Sequence, residues 1–295
     1  MSKIIIVGPA SPLRGGISDF NEALAKSLVE KGFLVEIISF SLQYPKFLFP
    51  GKSQNRVEQS EDFNFQISPI INSINPISWW RTAKYIKGEN PTKVFIRFWM
   101  PFFAPCLGVI GGYLKRNKIP VFGIVDNAIA HEKRLGDTTL VNYFLNKCDS
   151  HFTLSKKVKK DIKEINNGVS VESLFHPIYN TYSKITDKSS ALKSLNLKDG
   201  KYVLFFGLIR KYKGLDLAIR AMSNKLIIEK NIKLIIAGEF YDSEDKYQDL
   251  IRDLNLKNII IYNQFIENKQ VPDFFSVSNL VILPYTSATQ SGVTQ

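Results

Sequence analysis

Only two cysteines occur among the 295 residues, Cys106 and Cys148. That number excludes a disulfide-built scaffold, and both sit in apolar helical stretches, as buried free thiols in a reducing compartment would. Long apolar runs are also missing. The uncharged stretch "FWMPFFAPCLGVIGGYL" (98–114) is interrupted by Pro101 and Pro105 and falls short of the roughly 20 residues a membrane span needs. It reads as a strand end, a turn and a buried helix. There is no G-x-G-x-x-G dinucleotide fingerprint, no zinc-ligand spacing, no RNA-binding aromatic motif and no low-complexity tract. Acid is scarce beside base: 27 Asp and Glu stand against 39 Lys and Arg, a net charge of +12. Such an excess points to anionic partners, and without a nucleic-acid motif it favours phosphorylated small molecules or acidic lipid headgroups over nucleic acid. The densest basic run, "KKVKKDIKE" (156–164), has helical spacing and is expected to be a solvated face.

What is present is a regular alternation of short apolar strands with longer helical stretches. "KIIIVG" (3–8) precedes an amphipathic helix over 18–32, with Ser18 placed to cap it and Gly32 to end it. The N-terminus enters this first strand after one lysine, so no signal peptide is expected. "LVEIISF" (34–40), "KVFIRFW" (93–99), "VFGIVD" (121–126) and "SHFTLS" (150–155) continue the strands, with a loop over 41–62 and a helix around Trp79–Lys87. After a polar segment, "SKITDKSS" (183–190), the alternation restarts with "KYVLFFG" (201–207), "KLIIAG" (233–238), "NIIIYN" (258–263) and "NLVILPY" (279–285). Strands separated by helices predict parallel sheets covered on both faces. The expected organisation is an α/β chain of two Rossmann-like domains, residues 1–182 and 183–295.

In such sheets ligands bind beyond the C-terminal ends of the strands. The turn "GPASPLRGGIS" (8–18) places Gly15 and Gly16 before a helix, where backbone can approach an anion closely. In "FFGLIRKYKGLDLAI" (205–219) a strand ends in Gly207, and Arg210 and Lys213 follow in a loop closed by Gly214 before the next helix. A guanidinium and an ammonium beside free N–H groups suit a diphosphate. The last strand gives way at Pro284 to a small polar turn, Ser287 to Gly292. The acidic stretch "YDSEDKY" (241–247) reads as a helix start, not a metal site.

Taken together, "RGGISDF", "DNAIAHEKR" (126–134), "FHPIYN" (175–180), "FFGLIRKYKGLDLAI" and "LPYTSATQSGV" (283–293) resemble glycosyltransferase family 4, and the resemblance covers essentially the whole chain in order. It implies the GT-B fold, two Rossmann-like parallel-sheet domains facing across a cleft. It also implies transfer of a hexose from a UDP- or GDP-sugar with retention of anomeric configuration and without an obligatory metal or other cofactor. The acceptor would be a glycan or lipid-linked oligosaccharide of cell-surface polysaccharide synthesis. By the same resemblance, Arg210 and Lys213 clamp the pyrophosphate. Gly15, Gly16, Thr289, Ser291 and Gly292 contact the donor, His131 faces the transferred sugar, and Gln290 hydrogen-bonds it. Leu208 stands where the family usually has arginine, and Gln290 where many members have a glutamate, so this side chain can hydrogen-bond but not act as a base. Two other readings share these residues: a nucleotide-sugar-binding remnant without catalysis, and a sugar-nucleotide epimerase of the same fold.

The basic charge, with "YPKFLFPG" (44–51) and Trp79-Trp80 beside lysines, suggests a cytoplasmic enzyme resting on an anionic membrane. Four strands in the second half against about six in the first, and a polar turn with no helix after it, lead to the expectation that the second domain is truncated.

Overall fold

The computed structural model describes residues 2–45, 49, 51, 53–56, 63–129, 134–177 and 186–286. Residues 50–52 aside, the chain divides after Pro177 into two compact units.

The first unit opens with β1 (Lys3–Val7), whose Ile5, Ile6 and Val7 are fully buried, as a strand covered on both faces requires. Then follow α1 (Gly16–Glu30), β2 (Leu34–Leu42), β3 (Gln66–Asn72), α2 (Pro76–Gly88), β4 (Lys93–Phe98), α3 (Ala104–Arg116), β5 (Val121–Val125), α4 (Asp137–Leu145), β6 (Ser150–Thr153), α5 (Lys156–Ile165) and β7 (Val171–Ser173). The seven strands are all parallel, in the order β3-β2-β1-β4-β5-β6-β7. The chain starts in the middle, runs to one edge and then crosses back, so the winding reverses between β1 and β4. That reversal opens a crevice at the strand ends.

Several helix boundaries have local causes. Asn75 caps α2 by accepting from the Ile77 N–H at 3.0 Å, and Pro76 supplies the first helical residue with a preset φ. On α5, Val158 and Ile162 are buried four residues apart while the lysines between them face out, so "KKVKKDIKE" is the solvated face expected. The segment after Pro101 is a 3₁₀ turn leading into α3, with Cys106 fully buried; burial pushes the Cys106 and Cys148 thiols up and leaves them unreactive.

Two readings need correction. Ser18 does not cap α1: the helix starts at Gly16, and the buried Ser18 hydroxyl donates to the Leu13 carbonyl at 2.7 Å. The strand β3 was not foreseen, because Pro69 interrupts its pattern. At the sheet edge the missing N–H is harmless.

The second unit contains α6 (Lys188–Ser194), β8 (Lys201–Phe206), α7 (Leu215–Ala221), α8 (Lys225–Glu229), β9 (Ile232–Ala237), α9 (Asp245–Asp253), β10 (Ile259–Tyr262), α10 (Val271–Val277) and β11 (Leu280–Val281). Helix α6 begins inside the segment read as a polar linker. Asp187 caps it, and hydrogen bonds from Ser190 and Ser189 hold that carboxylate down at about 2. The described strands form a parallel sheet in the order β10-β9-β8-β11, and β11 is shorter than the sequence suggests. Here the winding reverses between β8 and β11. Tyr202, Leu204, Ile235 and Phe274 fill one face of this sheet; Phe205, Ile219, Leu234 and Ile236 fill the other.

Candidate functional site

In the second unit three strand ends converge. After β8, Gly207 turns with φ 97°. After β9, Gly238 packs so tightly that a Cβ there would lie 2.1 Å from the Gly207 carbonyl oxygen, so no other residue fits. The two segments are knitted by Ile209 N–H to the Glu239 carbonyl and Tyr241 N–H to the Ile209 carbonyl, both 2.9 Å. The third segment follows β11: the Thr286 N–H and hydroxyl donate to the Tyr212 carbonyl at 2.9 and 3.1 Å. Gly214 bridges the same pair of loops. Its φ of 69° is left-handed, and a Cβ would sit 2.1 Å from the Pro284 carbonyl oxygen.

This frame carries Arg210 and Lys213. Arg210 is exposed, its guanidinium 5.1 Å from the centre of the Tyr241 ring. Lys213 is 9% exposed, with its ammonium 5.7 Å from the Tyr285 ring centre, and Tyr285 meets Tyr212 edge-on at 6.1 Å. Burial, and then the like charge of Arg210, pull the Lys213 ammonium down to about 8. Two cations thus stand together at the reversal point of the sheet, before the first turn of α7, where N–H groups have no intrahelical acceptor. A diphosphate placed there would neutralise both cations and oppose the downward pull on Lys213. The aromatic residues Tyr241 and Tyr285 and the buried Glu239 were missed in the sequence. Their signal was position alone: each lies within a few residues of a strand end.

In the first unit the glycine turn after β1 is also fastened. Arg14 N–H donates to the Gln54 carbonyl at 2.9 Å and Arg56 N–H to the Pro12 carbonyl at 2.8 Å. The Arg56 guanidinium reaches Asp19 at 2.7 Å and Glu22 at 2.9 Å, and Glu22 accepts from the Ser11 N–H at 2.7 Å. Burial raises Glu22 above the usual carboxylate range, against the pull of Arg56. Gly15, at φ 113°, must be glycine or strained, and no atom of the described residues lies within 4 Å of a Cβ built on it or on Gly16. Among the described residues, both glycines therefore border open space at the N-terminus of α1.

His131, Thr289, Gln290, Ser291 and Gly292 lie outside the described residues. Among the described residues no group of three or more His, Cys, Asp or Glu side chains is placed to hold a metal ion. Asp242 and Glu244 of the acidic stretch lead into α9, consistent with a helix start; Glu244 is its N-cap.

Residues 187–292, nearly all of the second unit, match the family Glycosyl transferases group 1. The uncharacterized glycosyltransferase MJ1607 of Methanocaldococcus jannaschii is 27% identical over 141 residues, 45% of this chain and 35% of that protein. The alignment thus spans about a third of the length of that relative. Among solved structures, sucrose-phosphate synthase from Thermosynechococcus elongatus superposes with a TM-score of 0.72 at 13% identity, covering 99% of this chain and 78% of the other. Anabaena HepE in complex with UDP and glucose gives 0.71 at 14% identity, covering 100% and 77%. At such identities the likeness establishes the fold, which is of the GT-B type.

Proposed function

We propose that this chain is a retaining glycosyltransferase of family 4 that uses a UDP- or GDP-hexose and needs no metal. The observation that carries the reading is the pair of cations at the β8/β11 reversal: one of them is buried, and the charge acting on it is a like charge. A protein keeps a buried ammonium in that state at a cost, and an anionic ligand removes it. The match of residues 187–292 to the group 1 family and the UDP in the HepE complex support a nucleoside diphosphate as that anion. Arg210 and Lys213 hold the diphosphate, and Gly15 and Gly16 leave room for the donor. His131 acts on the reacting sugar, and Gln290, Thr289, Ser291 and Gly292 contact it. Stabilisation of the leaving diphosphate is then the main source of rate. The acceptor is a glycan or lipid-linked oligosaccharide of cell-surface polysaccharide synthesis.

The test is a thermal-shift panel of UDP, GDP and their sugars, followed by assay of sugar release from the donors that bind. A binder at about 100 times its dissociation constant should add about 2.7 kcal/mol of stability. No shift with any nucleoside diphosphate would overturn the reading.

Peripheral attachment to an anionic membrane belongs to the same proposal. No described helix is long and apolar enough to cross a membrane. Helix α2 nevertheless exposes Ile77 and Trp80, preceded by the exposed Ile74, and beyond them it carries Arg81, Lys84 and Lys87 with no acid. The Lys84 ammonium lies 3.7 Å from the Trp80 ring centre. Its neighbour Trp79 is not part of this face; it is half-buried and donates to the Asn72 carbonyl at 2.8 Å. Apolar residues that insert and cations that meet headgroups are the two components of interfacial binding. The protein should sediment with vesicles containing phosphatidylglycerol but not with pure phosphatidylcholine. Replacing Ile77 and Trp80 together by serine should abolish that sedimentation while leaving nucleotide binding intact.

A further inference from the structure

The loop over 41–62 sends one short stretch, 53–56, across the turn between β1 and α1. Leu13 and Asn55 pair there as an antiparallel bridge. On either side of it the Arg14 and Arg56 N–H groups, donating to the Gln54 and Pro12 carbonyls, tie the two backbones together. The stretch is itself anchored just beyond β2. The Tyr44 N–H donates to Gln54 Oε1 at 3.0 Å, and Gln54 Nε2 donates back to the Tyr44 carbonyl at 2.9 Å. From this anchored stretch the Arg56 side chain reaches α1, where one nitrogen, Nη2, donates to Asp19 Oδ1 at 2.7 Å and to Glu22 Oε2 at 2.9 Å. The other oxygen of Glu22 accepts from the Ser11 N–H, and the Asp19 N–H donates to the Gly15 carbonyl at 3.1 Å. Each residue from Ser11 to Gly15 is thereby held by a hydrogen bond or by the bridge.

The side chains of Arg56, Asp19 and Glu22 are only 16%, 12% and 10% exposed, so these are not the solvated surface pairs that contribute little. Asp19 and Glu22 stand three residues apart on one face of α1, where their like charges repel, and the guanidinium offsets that repulsion. It does so beside Gly15 and Gly16, at a helix start that favours negative charge from a ligand. Two carboxylates left without Arg56 would oppose such a ligand. The turn is thus held through 11–15 while, among the described residues, the space over the two glycines stays clear.

We infer that Arg56 is a positioning residue. By gripping Asp19 and Glu22 from the anchored stretch 53–56 it fixes the path of the glycine turn, and by neutralising them it keeps the start of α1 open to an anion. The consequence for the donor rests on the proposed sugar transfer; the positioning of the turn does not.

Arg56→Met removes the charge and keeps an apolar stem. Arg56→Lys keeps the charge, and an ammonium can serve both carboxylates because a single nitrogen does so now. Both variants should fold, since Arg56 lies outside the strands and helices. In hydrogen exchange the amides of Ser11, Leu13 and Arg14 should exchange about 10-fold faster or more in Arg56→Met, with β1 and β2 as protected as before. The same variant should raise the donor Michaelis constant about 10-fold with less than about a 2-fold change in turnover, because the turn meets the donor equally before and during reaction. Arg56→Lys should stay within about 3-fold of the wild type in both readouts. A residue that served only the fold would lower the active fraction, and so turnover, at an unchanged Michaelis constant. That pattern, unchanged exchange over 11–14 in Arg56→Met, or equal loosening in Arg56→Lys, would overturn the inference. If the wild-type chain cleaves no donor, the sugar-transfer reading fails, and the exchange result still decides the positioning claim.

Discussion

Replacing Arg97 by leucine should destabilise the first unit by about 3–5 kcal/mol, because it breaks the buried bidentate pair between the Arg97 guanidinium and the Asp126 carboxylate, Nε to Oδ2 at 2.6 Å and Nη2 to Oδ1 at 2.5 Å. Both residues are almost fully buried, so solvent cannot take over the lost interaction. The measurement is chemical denaturation followed by tryptophan fluorescence. Trp79, Trp80 and Trp99 all lie in the first unit, so the signal reports on that unit and is not blurred by the second. The midpoint should fall with little change in slope. A single variant that costs less than about 1 kcal/mol would mean that the bidentate geometry is not what holds this corner of the sheet.

The second large effect falls on Lys213. Lys213→Ala should weaken binding of a nucleoside diphosphate by about 1.5–3 kcal/mol, roughly 10- to 150-fold, the contribution of one charge-assisted contact. The pH dependence gives a sharper signature. In the free protein Lys213 titrates near 8, below the ordinary value of 10.5, because burial and Arg210 oppose its charge. A bound diphosphate favours the ammonium and raises that value. Binding therefore takes up a proton above about pH 8, and affinity should fall as pH rises through that point. The unliganded protein should show the opposite trend in stability. Between about pH 8 and the unfolded value of 10.5 the unfolded chain holds the proton that the folded one has lost, so stability should rise with pH there. Lys213→Arg, which stays charged throughout, should bind with no such dependence.

The strands were the most legible part of the chain, because a parallel sheet covered on both faces demands continuous apolar runs such as "KIIIV" and "KLIIA" that end in glycine. Arg210 and Lys213 were legible for a related reason: a strand end, three cations (Arg210, Lys211 and Lys213) and a closing glycine fall within eight consecutive residues. What could not be read is what depends on distant segments. Ser18 has the composition of a cap, yet tertiary packing draws its hydroxyl to Leu13 and starts the helix two residues earlier. Nothing local announces that Arg97 meets Asp126, 29 residues away, or that Tyr241 and Tyr285 come to flank the two cations. Those meetings follow from strand order, which alternation alone leaves open. Pro69 concealed β3 because its tolerance depends on being at an edge, a property of the assembled sheet.

On the proposed function, the loop from Gly207 to Gly214 binds the diphosphate of a nucleotide through Lys213. Calorimetric titration of the wild-type chain and Lys213→Ala with UDP and with GDP, at about pH 7 and about pH 9.5, tests it most directly. At least one of the two nucleotides should bind one-to-one, more weakly at the higher pH for the wild type. In Lys213→Ala binding should be weaker at both pH values, with the pH dependence gone. Equal affinity in the two proteins, or no binding of either nucleotide, would contradict it.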